Sequence, residues 1–179
     1  MLYLFLSGLP ENFIVSADGI SKIVDYDDWY TTLEFFKYLG SFWGPRTVGW
    51  FANASNTHLR RFNSRFSVLG SEAVDAFSVS WTGENNWLVP PVDCIIRVVQ
   101  HLVCTSVGIL VVPYWPSNAF WPFLFTSLVE YQPCVIESIS FPDPQGIFAL
   151  GCYKDSLIGS DKFNSAVLDV RIDARGCGT

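Results

Sequence analysis

The amino-acid sequence predicts an α/β layered fold with a mostly parallel sheet, and three features of the sequence support this prediction. Helical and extended patterns alternate along the chain, as they do in α/β domains. Residues 85–91 end a short apolar run in two prolines, and the residues that follow have helical spacing, which predicts strand, turn and helix. Residues 106–113 form an apolar run that ends in proline, which is typical of a parallel strand buried on both faces. The predicted buried face of the helix after the prolines comprises Val92, Ile95, Ile96, Val99, Leu102 and Val103.

An earlier helix is predicted from residue 27 or 28 to about residue 42, and Gly44 and Pro45 would end it. Asp27 or Asp28 would cap this helix, because a carboxylate at the N-cap accepts hydrogen bonds from free backbone N–H groups. Metal binding or catalysis by these carboxylates is the alternative, and it would need further partners that capping does not need. The predicted buried side comprises Trp29, Leu33, Phe36 and either Leu39 or Tyr38.

The sequence of residues 47–52 predicts a buried strand, and the polar turn 53–57 follows it. A loop that leaves the end of a strand and is rich in small polar groups is a favourable place for a ligand. An ordinary Asn/Ser turn is the alternative interpretation.

A basic patch follows this turn and comprises His58, Arg60, Arg61 and Arg65, interleaved with Phe62 and Phe66. Alternating cations and aromatic rings are typical of surfaces that bind single-stranded nucleic acid, and a solvated charged face is the alternative. The net charge of -6 and the pI of about 4.7 argue against strong independent binding to DNA or RNA. We therefore expect weak, salt-sensitive binding of single-stranded nucleic acid through Arg60, Arg61 and Arg65.

The last third of the chain has weaker patterns. A second short helix is predicted from residue 117 to about residue 128. The sequences of residues 135–141 and 147–152 predict two strands that pair across a proline-rich turn. Beyond residue 154 the sequence is polar and irregular, and it predicts at most a helix near residues 163–168.

The composition is apolar for a globular chain, with 50% hydrophobic and 16% charged residues, and predicts an ordered core with a face covered by something else. The five cysteines are scattered and lack C-x-x-C spacing, which favours reduced thiols in an intracellular protein of the cytoplasm or nucleus. No metal site is expected, because His58 and His101 lie in no cluster of ligands. The sequence has no apolar run of membrane-spanning length and no signal-peptide pattern, so no membrane association is expected.

A set of landmarks between residue 25 and about residue 124 adds a resemblance to a known family. The landmarks are Asp27–Thr32, Thr47–Ala52 with Asn56, Asp75–Phe77 with Trp81, Trp87–Pro91, and Leu110–Pro113 with Trp115. In this order they resemble phage-type Dam DNA adenine methyltransferases, and more closely the Dam-like segment in polyproteins of DIRS-type, tyrosine-recombinase retrotransposons. The motifs Trp115-Pro116-Ser117 and Phe120-Trp121-Pro122 are similar to signatures of the retroelement version.

The resemblance implies a Rossmann-like class I methyltransferase fold, here incomplete, in a fragment of a polyprotein. Residues 1–26 would be the end of an upstream ribonuclease H-like region, since residues 17–22 resemble its closing motif. Residues 27–153 would form the Dam-like domain, and residues 154–179 a poorly structured connector. The implied partners are the neighbouring polyprotein domains.

The family also implies S-adenosylmethionine as the methyl donor and a flipped adenine as the acceptor. Val89, Pro90, Pro91 and Val92 occupy the position of its Asn/Asp-Pro-Pro-Tyr motif, in which a polar side chain and outward-facing carbonyls hold the adenine amino group. The positions implied for the cofactor are Gly49, where the family usually has Asp, and Phe51, Ala52 and Asn56.

The departures from this motif predict that methyl transfer is lost. Val89 cannot accept a hydrogen bond from the adenine, and Val92 cannot stack on it. Loss of one positioned polar group lowers a rate by roughly 10²–10³. The first hypothesis is therefore a catalytically inactive module, structural or close to nucleic acid, that has no cofactor.

Two further hypotheses stay open. Asp93, with the Pro90 carbonyl, could replace the missing acceptor, so the second hypothesis is an active S-adenosylmethionine-dependent adenine methyltransferase. Capping of the following helix is the alternative role for Asp93. The third hypothesis is an accessory part of the reverse transcriptase and ribonuclease H machinery.

Overall fold

The computed structural model describes residues 29–102, 106–127, 130–151 and 156–175. Within these ranges the chain is mixed α/β, with a six-stranded sheet, a two-stranded sheet and few helices. The strands are β1 (Trp29–Thr31), β2 (Val48–Trp50), β3 (Phe62–Asn63), β4 (Asn85–Leu88), β5 (Val107–Pro113), β6 (Val135–Phe141), β7 (Phe148–Leu150) and β8 (Val167–Asp173). The helices are α1 (Leu33–Trp43) and α2 (Ile95–Leu102), and short 3₁₀ turns form at Ala76–Ser78, Val92–Cys94 and Trp121–Phe123.

The six-stranded sheet has two parts that differ in how neighbouring strands pair. Its order is β3-β2-β4-β5-β8-β6. The strands β3, β2, β4 and β5 run parallel to one another and form the parallel half. The strand β8 runs antiparallel to both β5 and β6, and these two strands, β8 and β6, form the antiparallel half. The predicted α/β class is therefore confirmed, with a sheet that is mixed.

The hydrophobic core lies on both faces of this sheet. Successive residues of β5 belong to alternate clusters, because side chains alternate along a strand. Leu110 packs in the cluster that includes α2, and Val111 packs in the cluster that includes α1. The two helices thus bury their apolar sides against opposite faces of the sheet.

Helix α1 begins later than the sequence predicts. Residues 29–31 form β1, which pairs with β7, so the predicted helix start before Trp29 is wrong. Thr32 is the N-cap, and its hydroxyl accepts a hydrogen bond from the Phe35 N–H at 3.3 Å. Asp27 and Asp28, the predicted caps, lie outside the described residues, as does the predicted ribonuclease H-like segment 1–26.

The buried side of α1 also differs from the prediction. Its buried residues are Phe35, Leu39 and Trp43, whereas Leu33 and Tyr38 are exposed. Leu39, one of the two predicted alternatives, is buried, and Phe36 is half-buried against the core. The prediction extended the helix back to Trp29, which lies in β1, and so aligned the apolar stripe partly on the wrong residues. The predicted end is confirmed, because Gly44 adopts a φ of 76° and donates its N–H to the Gly40 carbonyl.

The strand, proline turn and helix at residues 85–102 are confirmed as β4 and α2. The buried face of α2 comprises Ile95, Val98, Val99 and Leu102. Ile96 was expected on this face but is 37% exposed. The 3₁₀ turn at Val92–Cys94 explains the difference, because its three residues per turn change the helical phase between Val92 and α2. Val103 lies outside the described residues.

Two expectations for the last third of the chain are wrong. Residues 117–127 form turns and one 3₁₀ turn instead of a helix, in a segment where Pro116 and Pro122 remove backbone donors. The strands β6 and β7 exist as predicted, but they do not pair with each other. β6 pairs with β8, and β7 pairs with β1.

The segment 167–173 is the largest correction to the sequence prediction. It was expected to belong to a poorly structured connector with a helix near residues 163–168, but it forms β8 inside the sheet. Its apolar residues Leu168, Val170 and Ile172 alternate with Asp169 and Arg171, which is the period of a strand. The two aspartates and the arginine of this segment made it look like a polar loop.

Candidate ligand cavity at the carboxyl edge of the parallel strands

A cavity of about 810 Å³ opens at the carboxyl ends of β2, β3 and β4. The loop after β2 lines it with residues 51–56, and the segment after β3 lines it with Ser64, Arg65, Phe66 and Val68. The turn after β4 contributes Val89, Pro91, Asp93 and Cys94. A volume of this size is within the usual range for a small-molecule site.

The cavity lies where the direction of the strand order reverses. From β2 the chain passes to β3 on one side of β2, and β4 then pairs on the other side and leads to β5. In open α/β sheets, ligands bind outside the carboxyl ends of the strands at such a switch point. The topology alone therefore makes this edge the candidate site.

Two residues on the cavity wall have backbone conformations that L-amino acids seldom adopt. Phe51 has a φ of 62° and Asp75 a φ of 63°, and both line the cavity. Such strain persists only where the surroundings hold it, and it concentrates at functional sites. Phe51 makes the sharp turn out of β2 that a glycine makes in dinucleotide sites. The Asp75 carboxylate accepts a hydrogen bond from the Phe77 N–H at 3.1 Å, which fixes the loop on the opposite wall.

The four residues at the motif position after β4 are divided between the cavity wall and the core. Val89 lines the cavity and is 7% exposed, and Pro91 also lines it. Pro90 is buried and Val92 is half-buried against both core clusters, and neither belongs to the cavity wall. The Pro91 carbonyl accepts a hydrogen bond from the Cys94 N–H at 2.9 Å, so it does not face outward as predicted.

Asp93 is exposed and lines the cavity. The N-cap of the 3₁₀ turn that contains it is Pro91, and no side chain makes a capping hydrogen bond there. The expectation that Asp93 caps the helix is therefore wrong, because the carboxylate lies inside the turn and not before it. The carboxylate instead lines the cavity beside the Cys94 thiol, whose pKa it helps to raise.

The implied cofactor positions are only partly together. Phe51, Ala52 and Asn56 line the cavity, and Asn56 Oδ1 accepts a hydrogen bond from the Asn53 N–H at 2.7 Å, which closes the turn. Gly49 lies within β2 and lines a small side cavity of about 20 Å³ instead. A Cβ atom added at Gly49 would meet its nearest neighbours at 3.8 to 3.9 Å, so the fold leaves room for a side chain.

The predicted basic patch does not form one surface. Arg61 forms ion pairs with Glu72 at 2.7 Å and with Glu84 at 2.8 Å. Arg60 is exposed and lies outside the cavity wall, whereas Arg65 lines the cavity. His58 Nε2 lies 2.6 Å from the Thr31 carbonyl oxygen and so ties the loop after β2 to β1.

The sequence prediction missed several residues of the cavity wall, among them Trp29, Cys94 and Arg97. Trp29 was assigned to a helix, and its position depends on the pairing of β1 with β7. Arg97 follows Asp93 by one helical turn, and this spacing could have pointed to it. The pKa of the Cys94 thiol is raised to about 11, mainly by burial and then by Asp93, so the thiol is not a ready nucleophile at neutral pH.

The described residues include no group of three or more His, Cys, Asp or Glu side chains that could hold a metal ion. None of the helices in the described ranges has the length and apolarity to cross a membrane. No protein-family model and no curated protein matches the sequence of this chain. The site must therefore be interpreted from its own geometry.

Proposed function

We propose that the chain is a Dam-like module of a retrotransposon polyprotein with a class I methyltransferase fold, a retained ligand cavity and no methyl-transfer activity. It acts as a structural or nucleic-acid-proximal module among the neighbouring polyprotein domains. The observation that supports this proposal best is that the loop after β2 and the proline turn after β4 line one cavity at the switch point.

The sheet supports the proposed fold. A Rossmann-like fold has parallel strands on both sides of a switch point, as β3, β2, β4 and β5 have here. The class I methyltransferase fold adds an antiparallel strand near one edge, and β8 has a compatible position between β5 and β6. The strand β3 is an edge strand of only two residues, which agrees with an incomplete version of the fold.

The residues of the cavity fit S-adenosylmethionine, which supplies an activated methyl group when bound. Trp29 and Phe66 offer aromatic surface for its adenine ring. Its amino acid part has both charges, and the wall has carboxylates from Asp75 and Asp93 and guanidinium groups from Arg65 and Arg97. The cavity exceeds the volume that such a ligand needs.

The acceptor position accounts for the proposed lack of activity. Val89 lies on the cavity wall where the family has Asn or Asp. A hydrocarbon side chain cannot accept a hydrogen bond from the adenine amino group. Val92 stands where the family has Tyr, has no aromatic ring to stack on the base, and does not line the cavity. The two losses act on the same base, so turnover would fall by more than either loss alone.

Calorimetric titration of the full chain with S-adenosylmethionine, paired with a labelled-methyl transfer assay on adenine-containing DNA, tests the proposal. The sequence predicted an inactive module without a cofactor, but the cavity keeps residues that fit S-adenosylmethionine, so we expect binding without methyl transfer. Ala52→Phe fills the cavity and should abolish binding, whereas Ala119→Phe adds the same ring at an exposed position away from the cavity and should not. Methyl transfer by the unaltered chain would overturn the inactive assignment, and absence of binding would overturn the ligand site.

The active enzyme remains a second candidate, because Asp93 is exposed on the cavity wall and does not cap the helix. It predicts methyl transfer by the unaltered chain and its complete loss in Asp93→Ala, which removes the acceptor oxygen. The melting temperature should stay unchanged, since the carboxylate makes no capping bond. Absence of methyl transfer by the unaltered chain, or full activity in Asp93→Ala, would dismiss this candidate.

A further inference from the structure

Two guanidinium groups lie beside aromatic rings on the wall of the cavity. The Arg97 guanidinium carbon lies 3.8 Å from the Phe77 ring centroid, and the Arg65 guanidinium carbon lies 5.7 Å from the Phe66 centroid. All four residues line the cavity. Arginine stacked on a ring presents a planar set of donors in a defined orientation, which suits the oxygen atoms of a phosphate or carboxylate.

The Arg97 group rests on a rigid support. Phe77 stacks on Trp81 with ring centroids 5.8 Å apart, and Trp81 stacks on Trp50 at 5.1 Å. Trp81 is 1% exposed and donates a hydrogen bond from Nε1 to the Ala76 carbonyl at 2.7 Å, so the column is fixed in the core. Phe77 therefore contacts Trp81 in the core and Arg97 at the cavity wall, where the guanidinium group can meet a ligand.

Arg65 and Arg97 come from different segments of the chain but line the same cavity. Arg65 follows β3 and Arg97 lies on α2, so the fold brings to one cavity wall two cations that the sequence separates widely.

We propose that the cavity binds a nucleotide, with Arg65 and Arg97 as the subsite for its phosphate group. The proposal rests on the proposed function for the location of the ligand, and adds that the ligand has a phosphate beside its base. The apolar and aromatic wall around Trp29 and Val89 takes the base, and the two arginines take the anion.

The carboxylates of the cavity limit which anions bind. The Asp75 carboxylate accepts a hydrogen bond from the Phe77 N–H, and Asp93 lies beside Cys94 in the 3₁₀ turn. Both carboxylates line the same cavity as the two arginines. Asp93 repels any anion, and inorganic phosphate has no nucleobase whose contacts with the wall would offset this repulsion. The site should therefore discriminate against inorganic phosphate and select a nucleotide.

The experiment compares AMP with adenosine by calorimetric titration of the full chain. AMP should bind about tenfold more tightly than adenosine, because one charge-assisted hydrogen bond typically contributes this much to affinity. Arg97→Gln and Arg65→Gln should each remove most of this preference and leave adenosine affinity unchanged. Arg60→Gln removes an exposed arginine outside the cavity and is the matched control, which should keep the preference.

A second variant gives an effect of opposite sign. Asp93→Asn removes the repulsion, so it should raise the affinity for AMP several-fold and leave adenosine affinity unchanged. Should Arg97→Gln not fold, as judged by its melting curve, Arg65→Gln and Asp93→Asn still decide the question because both side chains are exposed. A short oligodeoxyadenylate in place of AMP distinguishes a nucleic acid strand from a free nucleotide as the source of the phosphate.

The outcomes separate this inference from the proposed function. Equal affinities for AMP and adenosine, together with binding of S-adenosylmethionine, would overturn the phosphate subsite and leave the proposed function intact. An AMP preference that depends on both arginines, without binding of S-adenosylmethionine, would support the subsite and remove the methyl donor from the proposed function. Absence of binding by all three compounds would overturn both.

Discussion

Asn86 in the parallel half and Asp169 in the antiparallel half are both fully buried polar residues, and they differ in how their polar atoms are satisfied. Asn86 Oδ1 accepts a hydrogen bond from Trp50 Nε1 at 2.6 Å, and its Nδ2 donates to the Val107 carbonyl at 2.7 Å. The two carboxylate oxygens of Asp169 have no hydrogen-bond partner among the described residues. Burial raises the pKa of Asp169 well above its ordinary value of 3.8.

The difference teaches how each half of the sheet is specified. The bonds of Asn86 join β4 to β2 on one side and to β5 on the other, so they fix the strands whose loops line the cavity. Asp169 lies opposite Val111 of β5 and Ile139 of β6, which offer only apolar side chains. A satisfied buried group specifies a structure, whereas an unsatisfied one reduces its stability.

The largest effect at a fixed pH is expected for Asn86→Leu. This change leaves the Trp50 Nε1 donor and the Val107 carbonyl buried without their partner, and each such group costs about 1–3 kcal/mol. The free energy of unfolding, measured by urea denaturation, should therefore fall by about 3 kcal/mol.

Asn85→Leu is the matched control for this prediction. Asn85 is the neighbouring residue of β4, and its Nδ2 donates to the Pro45 carbonyl at 2.7 Å in an exposed position. Water can replace that bond, so the loss should be about 1 kcal/mol or less. Equal losses in the two variants would contradict the contrast between buried and exposed bonds.

Asp169 should make the stability of the chain depend on pH. Because its pKa is raised in the folded state, the unfolded chain loses this proton first as pH rises. The stability is complete below the ordinary carboxyl pKa and falls above it by up to about 1.4 kcal/mol per pH unit, until the raised pKa is passed. Asp169→Asn should remove this decline, which urea denaturation across a pH series would measure.

A second aspartate of β8 supplies a control of opposite sign. Asp173 has a lowered pKa, mainly because Arg175 donates a hydrogen bond to its carboxylate. Its contribution is present above the ordinary carboxyl pKa and is lost as pH falls through the lowered value. Asp173→Asn should therefore reduce stability at neutral pH and have no effect in acid. A decline with pH that persists in Asp169→Asn would show that Asp169 is not its source.

The parts that the sequence predicted well are local. The proline pair after β4 and the apolar run of β5 identify strands from adjacent residues, and the polar loop after β2 was a correct candidate for the cavity wall. The start of α1 was missed because Trp29–Thr31 pair with β7, which is distant in sequence. No local pattern reports such a pairing.

The same limit applies to the site. Arg65 and Arg61 lie in one short segment, yet Arg65 lines the cavity and Arg61 binds Glu72 and Glu84. Arg61 precedes β3 and Arg65 follows it, so the two side chains lie at opposite ends of this strand. Arg97 lines the same cavity as Arg65 only because α2 packs against one face of the sheet. The strand β8 is a different case. Its apolar and polar residues alternate as in a strand, but its charged residues made the segment look like a loop.

The smallest effect is expected at the periphery of the antiparallel half, where a polar contact is satisfied. Trp43 Nε1 of α1 donates a hydrogen bond to Glu137 Oε2 of β6 at 2.8 Å, and this bond joins the helix to the edge strand. Glu137→Ala should lower the free energy of unfolding by about 1 kcal/mol, because the indole donor loses its acceptor at a site that water partly reaches. Glu137→Gln keeps an acceptor oxygen and should retain most of the stability, as urea denaturation would show. A loss in Glu137→Ala as large as that in Asn86→Leu would mean that the edge of the sheet, and not its satisfied centre, specifies the fold.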